Sequence, residues 1–132
     1  MLIQFTVENH RSIKNSAVIS FAASKDKSFE EYLLHPDEKK TLLPVLAIYG
    51  ANAAGKSNVL HAMMTMKEMV VGNAAKVSKG QKLPWEPFGG TKVPTSFEIV
   101  FIFQGVTHTV FLLMQRRFTK SIFTIGRMAV KP

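Results

Sequence analysis

Hydrophobic and polar residues alternate from the first positions of the chain. Ile3, Phe5 and Val7 interleave with Leu2, Gln4, Thr6 and Glu8, and a period of two over this length predicts a half-buried strand. Asn9-His10-Arg11-Ser12 reads as a turn. Ala17 to Ala23 predicts a second strand, antiparallel to the first. Residues 24–40 are polar and charged, with Pro36 among them, and read as a loop with a short helix around Phe29–Leu34. Leu42 to Tyr49 is an apolar run bounded by turn signals, which predicts a buried strand. Val59, Leu60, Met63, Met66, Met69 and Val70 then recur at helical spacing, so Asn58 to Val71 predicts a helix, with Gly72 as its stop. The methionines read as a core-facing stripe of adaptable side chains in preference to a pliable binding surface. Asn73 to Thr95 is rich in Gly, Pro, Lys and Ser and reads as a long irregular connection, in which Trp85 and Phe88 are expected to bury against the domain. Ser96–Phe103 and Val106–Leu113 predict a hairpin closed by the two-residue turn Gln104-Gly105.

The stretch that carries chemistry lies between the predicted buried strand and the helix. Gly50-Ala51-Asn52-Ala53-Ala54-Gly55-Lys56-Ser57 fits G-x-x-x-x-G-K-[ST] at every fixed position, and strand, glycine-rich loop, helix is the context that pattern requires. Phosphate oxygens need several N–H donors converging on one point. Glycine reaches positive φ at little cost, so a loop with Gly at both ends can curl its amides inward. A helix starting near Lys56 adds free N–H groups and the positive end of its dipole. The pattern assigns Lys56 to the β- and γ-phosphates and the Ser57 hydroxyl to Mg²⁺.

Composition narrows the remaining options. With 132 residues the chain is one domain or part of one, and the absence of cysteine excludes disulfides and thiolate metal sites. The N-terminus lacks the basic-then-apolar order of a signal peptide, and no apolar run is long enough to span a bilayer, so a cytoplasmic protein without a membrane partner is expected. His10, His35, His61 and His108 show no metal-ligand spacing. The net charge of +8 suggests nucleic acid, but residues 100–132 hold five basic residues and no acid, so much of the excess lies in the tail.

The N-x-R-S turn (Asn9, Arg11, Ser12) after strand one and the spelling Gly50-Ala51-Asn52-Ala53-Ala54-Gly55-Lys56-Ser57-Asn58, with the trailing apolar pair Val59-Leu60, resemble the start of the AAA15-type ATPases, which group with the RecF, SMC and OLD-type ABC heads. The resemblance covers roughly residues 1–110. It implies an α/β fold, a P-loop NTPase with an ABC/SMC-head-like nucleotide-binding lobe and an antiparallel N-terminal β portion. It implies ATP and Mg²⁺ as cofactors, residues 50–58 as the nucleotide cradle, Ser57 as the metal ligand, and Arg11 and Ser12 on the turn that approaches the nucleotide. It also implies a homodimer formed around nucleotide in an intact head, and a role in phage defence beside a nuclease or toxin.

Two features limit that reading. Such a head also needs a Walker B run ending in Asp-Glu and a signature helix, and no apolar run here ends in paired acids. Without them no catalytic residue is assigned, weak nucleotide binding is expected, and hydrolysis is expected to be poor. Residues 1–113 therefore read as the N-terminal lobe, with 72–95 as its long loop. Residues 114–132 read as a basic tail, acid-free and without clear period. Two explanations of the tail stand open. The reading frame shifts near residue 110, leaving a truncated remnant or interaction protein; read from the third base, the codons for Lys120–Val130 permit the string EEYLYHWPNGR. Alternatively, the chain is a short protein with a nucleic-acid-binding tail, whose affinity would fall steeply with salt.

Overall fold

The computed structural model describes residues 1–26, 28–71, 86–117 and 120–130. Among these residues, seven strands and one α-helix follow in chain order: β1 (Leu2–Glu8), β2 (Ala17–Ser20), β3 (Leu34–Asp37), β4 (Lys40–Leu42), α1 (Lys56–Val71), β5 (Thr95–Phe103), β6 (Val106–Arg117) and β7 (Lys120–Val130). Five of the strands form one sheet in the order β2-β1-β5-β6-β7, and β3 pairs with β4. Every pairing is antiparallel.

The period-two pattern explains which face of the sheet is buried. Phe5 lies opposite Ile99, and Ile99 opposite Val110; Val7 lies opposite Phe97, and Phe97 opposite Leu112. These cross-strand rows, continued by Met114, meet Ala62, Met66 and Met69 of α1 in a single apolar cluster. Met63 packs at its margin, so this part of the methionine stripe faces the core. Leu60 and Val70 stand exposed instead. The β5–β6 hairpin turns through Gln104 at φ 50° and Gly105 at φ 73°, the pair of positive angles that matches the right-handed twist of the strands. The tail supplies the end of β6 and all of β7, which pair along their whole length.

The expected α/β P-loop NTPase fold is corrected by this topology: the described residues form antiparallel sheet with a single helix. The difference begins at the apolar run before the phosphate loop. A buried strand there needs neighbours on both sides and cover on both faces. Residues 44–49 pair with no strand among the described residues, and Val45, Ile48 and Tyr49 are exposed, Tyr49 at 90%. Beyond Leu42 the run has no regular secondary structure, and within it only Leu42, at the end of β4, is buried. A 3-10 turn at Glu30–Tyr32 lies where a short helix was expected, and the β3–β4 hairpin forms where only loop was expected. Leu43 N–H donates to Phe21 O, and Ala22 bridges to Leu42, which fastens this hairpin beside β2. The expectations for Gly72 and Trp85 lie outside the described residues. Phe88 starts a 3-10 turn, Phe88–Gly90, and is half-buried.

Candidate phosphate-binding site

Residues 50–57 are curled. Ala53 has φ 63° and Gly55 φ 86°, both in the left-handed region. For Ala53 that conformation costs about 1–2 kcal/mol, the kind of local strain that concentrates at functional sites. Ala54 N–H donates to Ala51 O at 3.2 Å, and Asn58 N–H donates to Gly55 O at 2.9 Å. The amides of Ala51, Asn52, Ala53 and Gly55 have no acceptor among the described residues. Helix α1 begins at Lys56, two residues before the expected boundary, so the loop runs straight into free N–H groups of a first turn. Residues 52–58 line a concavity of about 330 Å³ with no carboxylate in its wall.

Lys56 closes the ring. Its Nζ donates to Gly50 O and to Ala51 O, each at 2.7 Å. The ammonium group thus holds the start of the loop against its end. An anion entering the concavity would meet a compact, fixed positive charge.

The turn that follows β1 touches the loop, and each of its residues has its own attachment. Asn9, at φ 53° and buried, donates from Nδ2 to Val93 O at 2.7 Å and accepts from Thr91 Oγ1; its carbonyl accepts from Thr95 Oγ1. Arg11 N–H donates to Glu86 O at 2.7 Å, and Arg11 Nε donates to Glu86 Oε2 at 2.6 Å. Arg11 is therefore turned toward Glu86, not toward the phosphate loop. The hydrogen bond from Arg11 holds the Glu86 carboxyl below its ordinary range, and the pair is solvated enough to contribute little stability. Ser12 Oγ accepts from Asn58 Nδ2 at 2.6 Å, across 46 residues of sequence.

His10 is the buried member of the turn. It is 2% exposed, stands edge-on to Phe97 with ring centroids 5.3 Å apart, and neither ring nitrogen has a hydrogen-bond partner among the described residues. Burial lowers its pKa first, the Arg11 charge second; Glu86 opposes and His61 on α1 adds to the lowering. The native state thus holds His10 neutral at a pH where the unfolded chain takes up a proton. Stability is full above the ordinary histidine value and falls as pH drops from about 7 toward 5. His10→Phe, which keeps an aromatic ring against Phe97, is expected to flatten that part of the pH profile in urea unfolding.

Of residues 50–58, which sequence reasoning grouped, Asn52 to Asn58 surround one concavity, and Gly50 and Ala51 lead into it. Sequence reasoning placed Ser12 nearby but missed Glu86 as the partner of Arg11 and His10 as a buried group. No local pattern marks either. Ser57 is exposed at the start of α1, and no group of three His, Asp or Glu side chains among the described residues can hold a metal. The free amides and Lys56 fit a phosphate chain. For Mg²⁺ the site offers one hydroxyl, so most ligands would come from phosphate and water. No described helix is long and apolar enough to cross a membrane. No protein-family model matches the chain, and no curated protein matches it.

Proposed function

We propose that this chain binds ATP with Mg²⁺ through residues 50–57, as the N-terminal part of an AAA15-type ATPase. The observation that carries the reading is the curled loop. Residues with unengaged amides (Asn52, Ala53 and Gly55), Lys56 and the start of a 16-residue helix line one small concavity. In this reading Gly50 to Gly55 cradle the phosphates, Lys56 exchanges its two carbonyl acceptors for phosphate oxygens, and Ser57 Oγ ligates the metal. Asn58 supports the loop from the helix side. The proposal is for binding, because the concavity offers donors and a metal ligand but no carboxylate to orient water. The N-terminal sequence and the apolar pattern extend the proposal to a cytoplasmic setting, and the resemblance extends it to a nucleotide-dependent homodimer and to a nuclease or toxin partner in phage defence.

A ligand recognised through its phosphate chain should bind according to the number of phosphates. Titration of the full chain with a fluorescent ATP analogue and Mg²⁺, competed by unlabelled nucleotides, is expected to show displacement by ATP and ADP and none by AMP at the same concentration. Equal competition by AMP would contradict phosphate recognition and point to a base- or sugar-directed site.

A further inference from the structure

We infer that the turn Asn9–Ser12 is a positioning brace for the phosphate loop, acting through the contact of Ser12 with Asn58 and Gly55; the inference rests on the nucleotide reading above. Asn58 is held twice. Its N–H is bonded to Gly55 O at 2.9 Å, and its side chain donates to Ser12 Oγ at 2.6 Å. The first bond sets the step from loop to helix. The second ties that step to β1, a different part of the chain.

Gly55 shows how close the brace comes. A Cβ at this position would lie 3.0 Å from Ser12 Oγ, and the backbone sits at φ +86°. Gly55 is therefore required both by the curl of the loop and by the approach of the Ser12 hydroxyl. On its far side the turn is fixed to the rest of the fold. Asn9 is tied to Val93 and Thr95, and the Arg11 backbone to Glu86. His10 plugs into the sheet edge-on to Phe97. The turn can thus transfer the rigidity of the sheet to a loop that has no paired strand before it among the described residues. That strand is what a phosphate loop ordinarily relies on for its fixed start. Here residues 44–49 pair with no strand among the described residues, so the brace is the loop's long-range side-chain tie to the sheet.

Nucleotide binding and thermal melting of wild type, Ser12→Ala, Ser12→Thr, Asn58→Ala and the Ser12→Ala/Asn58→Ala double variant test this. The probe is the fluorescent ATP analogue with Mg²⁺, with Lys56→Ala as reference. Each single Ala variant is expected to weaken binding about fivefold, the size of one lost hydrogen bond. The double variant is expected to lose no more than a single one, because both remove the same contact. Ser12→Thr, which keeps the hydroxyl, is expected to bind within about twofold of wild type, and melting is expected to change little on an exposed contact. Wild-type affinity in Ser12→Ala, or losses that multiply in the double variant, would overturn the brace while leaving the nucleotide reading intact. A wild type that binds no better than Lys56→Ala overturns the nucleotide reading and the brace together.

Discussion

Replacing Lys56 by Ala is expected to weaken ATP·Mg²⁺ binding by about 10- to 100-fold. A hydrogen bond to a charged group contributes about 1.5–3 kcal/mol, and each 1.4 kcal/mol is a factor of ten. The effect is differential. In the free loop the ammonium is already satisfied by Gly50 O and Ala51 O at 2.7 Å, so a phosphate gains only what its charge adds beyond two carbonyl dipoles. Charge-assisted bonds to an anion are roughly twice as strong as neutral ones, which gives the sign. Lys56→Arg should not restore binding in full, because a planar guanidinium cannot replace a compact charge inside a tight ring. The contacts of Lys56 are solvent-exposed, so the variant should unfold within about 0.5 kcal/mol of wild type. Isothermal titration and urea unfolding of the two proteins check both statements. A Lys56→Ala variant that binds as wild type does would remove the loop from the site.

Replacing Phe97 by Ala is expected to cost about 3–5 kcal/mol of stability, a large share of the 5–15 kcal/mol that a domain typically has. Phe97 is 1% exposed and lies between Val7 and Leu112 in the middle of the buried rows. Its ring is also the surface on which His10 rests. The substitution therefore opens a cavity at the point where the core meets the turn that reaches the phosphate loop. It should lower the urea midpoint sharply. Below that midpoint it should also weaken nucleotide binding, since the turn loses its seat. A loss of less than about 1 kcal/mol would mean that the His10–Phe97 contact and its rows do not form the centre of the fold.

The elements that sequence revealed are those decided by local pattern. Strand β1 follows from its period of two, and the β5–β6 hairpin from two apolar, β-branched and aromatic runs joined by Gln104-Gly105, whose positive angles suit a tight turn. Helix α1 follows from apolar residues at helical spacing. The phosphate loop is local as well: the angles of Ala53 and Gly55 and the reach of Lys56 all fall within eight residues. What was not legible depends on distant partners. Val45 to Tyr49 has the composition of a buried strand, but burial needs neighbours that local sequence does not specify, and among the described residues that run has no strand beside it. The β3–β4 hairpin is short, contains Pro36 and is charged, so propensity argued against it. The pairing of β1 with β5 joins segments some ninety residues apart, and it makes this sheet antiparallel. The burial of His10 was not legible because nothing nearby in sequence announces Phe97, and Arg11 looked free to meet a nucleotide because Glu86 lies 75 residues away.

Amide chemical shifts of the ¹⁵N-labelled chain, followed while ATP·Mg²⁺ is added, test the central claim most directly. The largest changes should fall on the N–H groups of residues 51–57, saturate together, and be absent with AMP. Changes confined to other surfaces, such as the apolar groove formed by Met63, Met66, Ile99 and Phe101, or no change at residues 51–57, would contradict it.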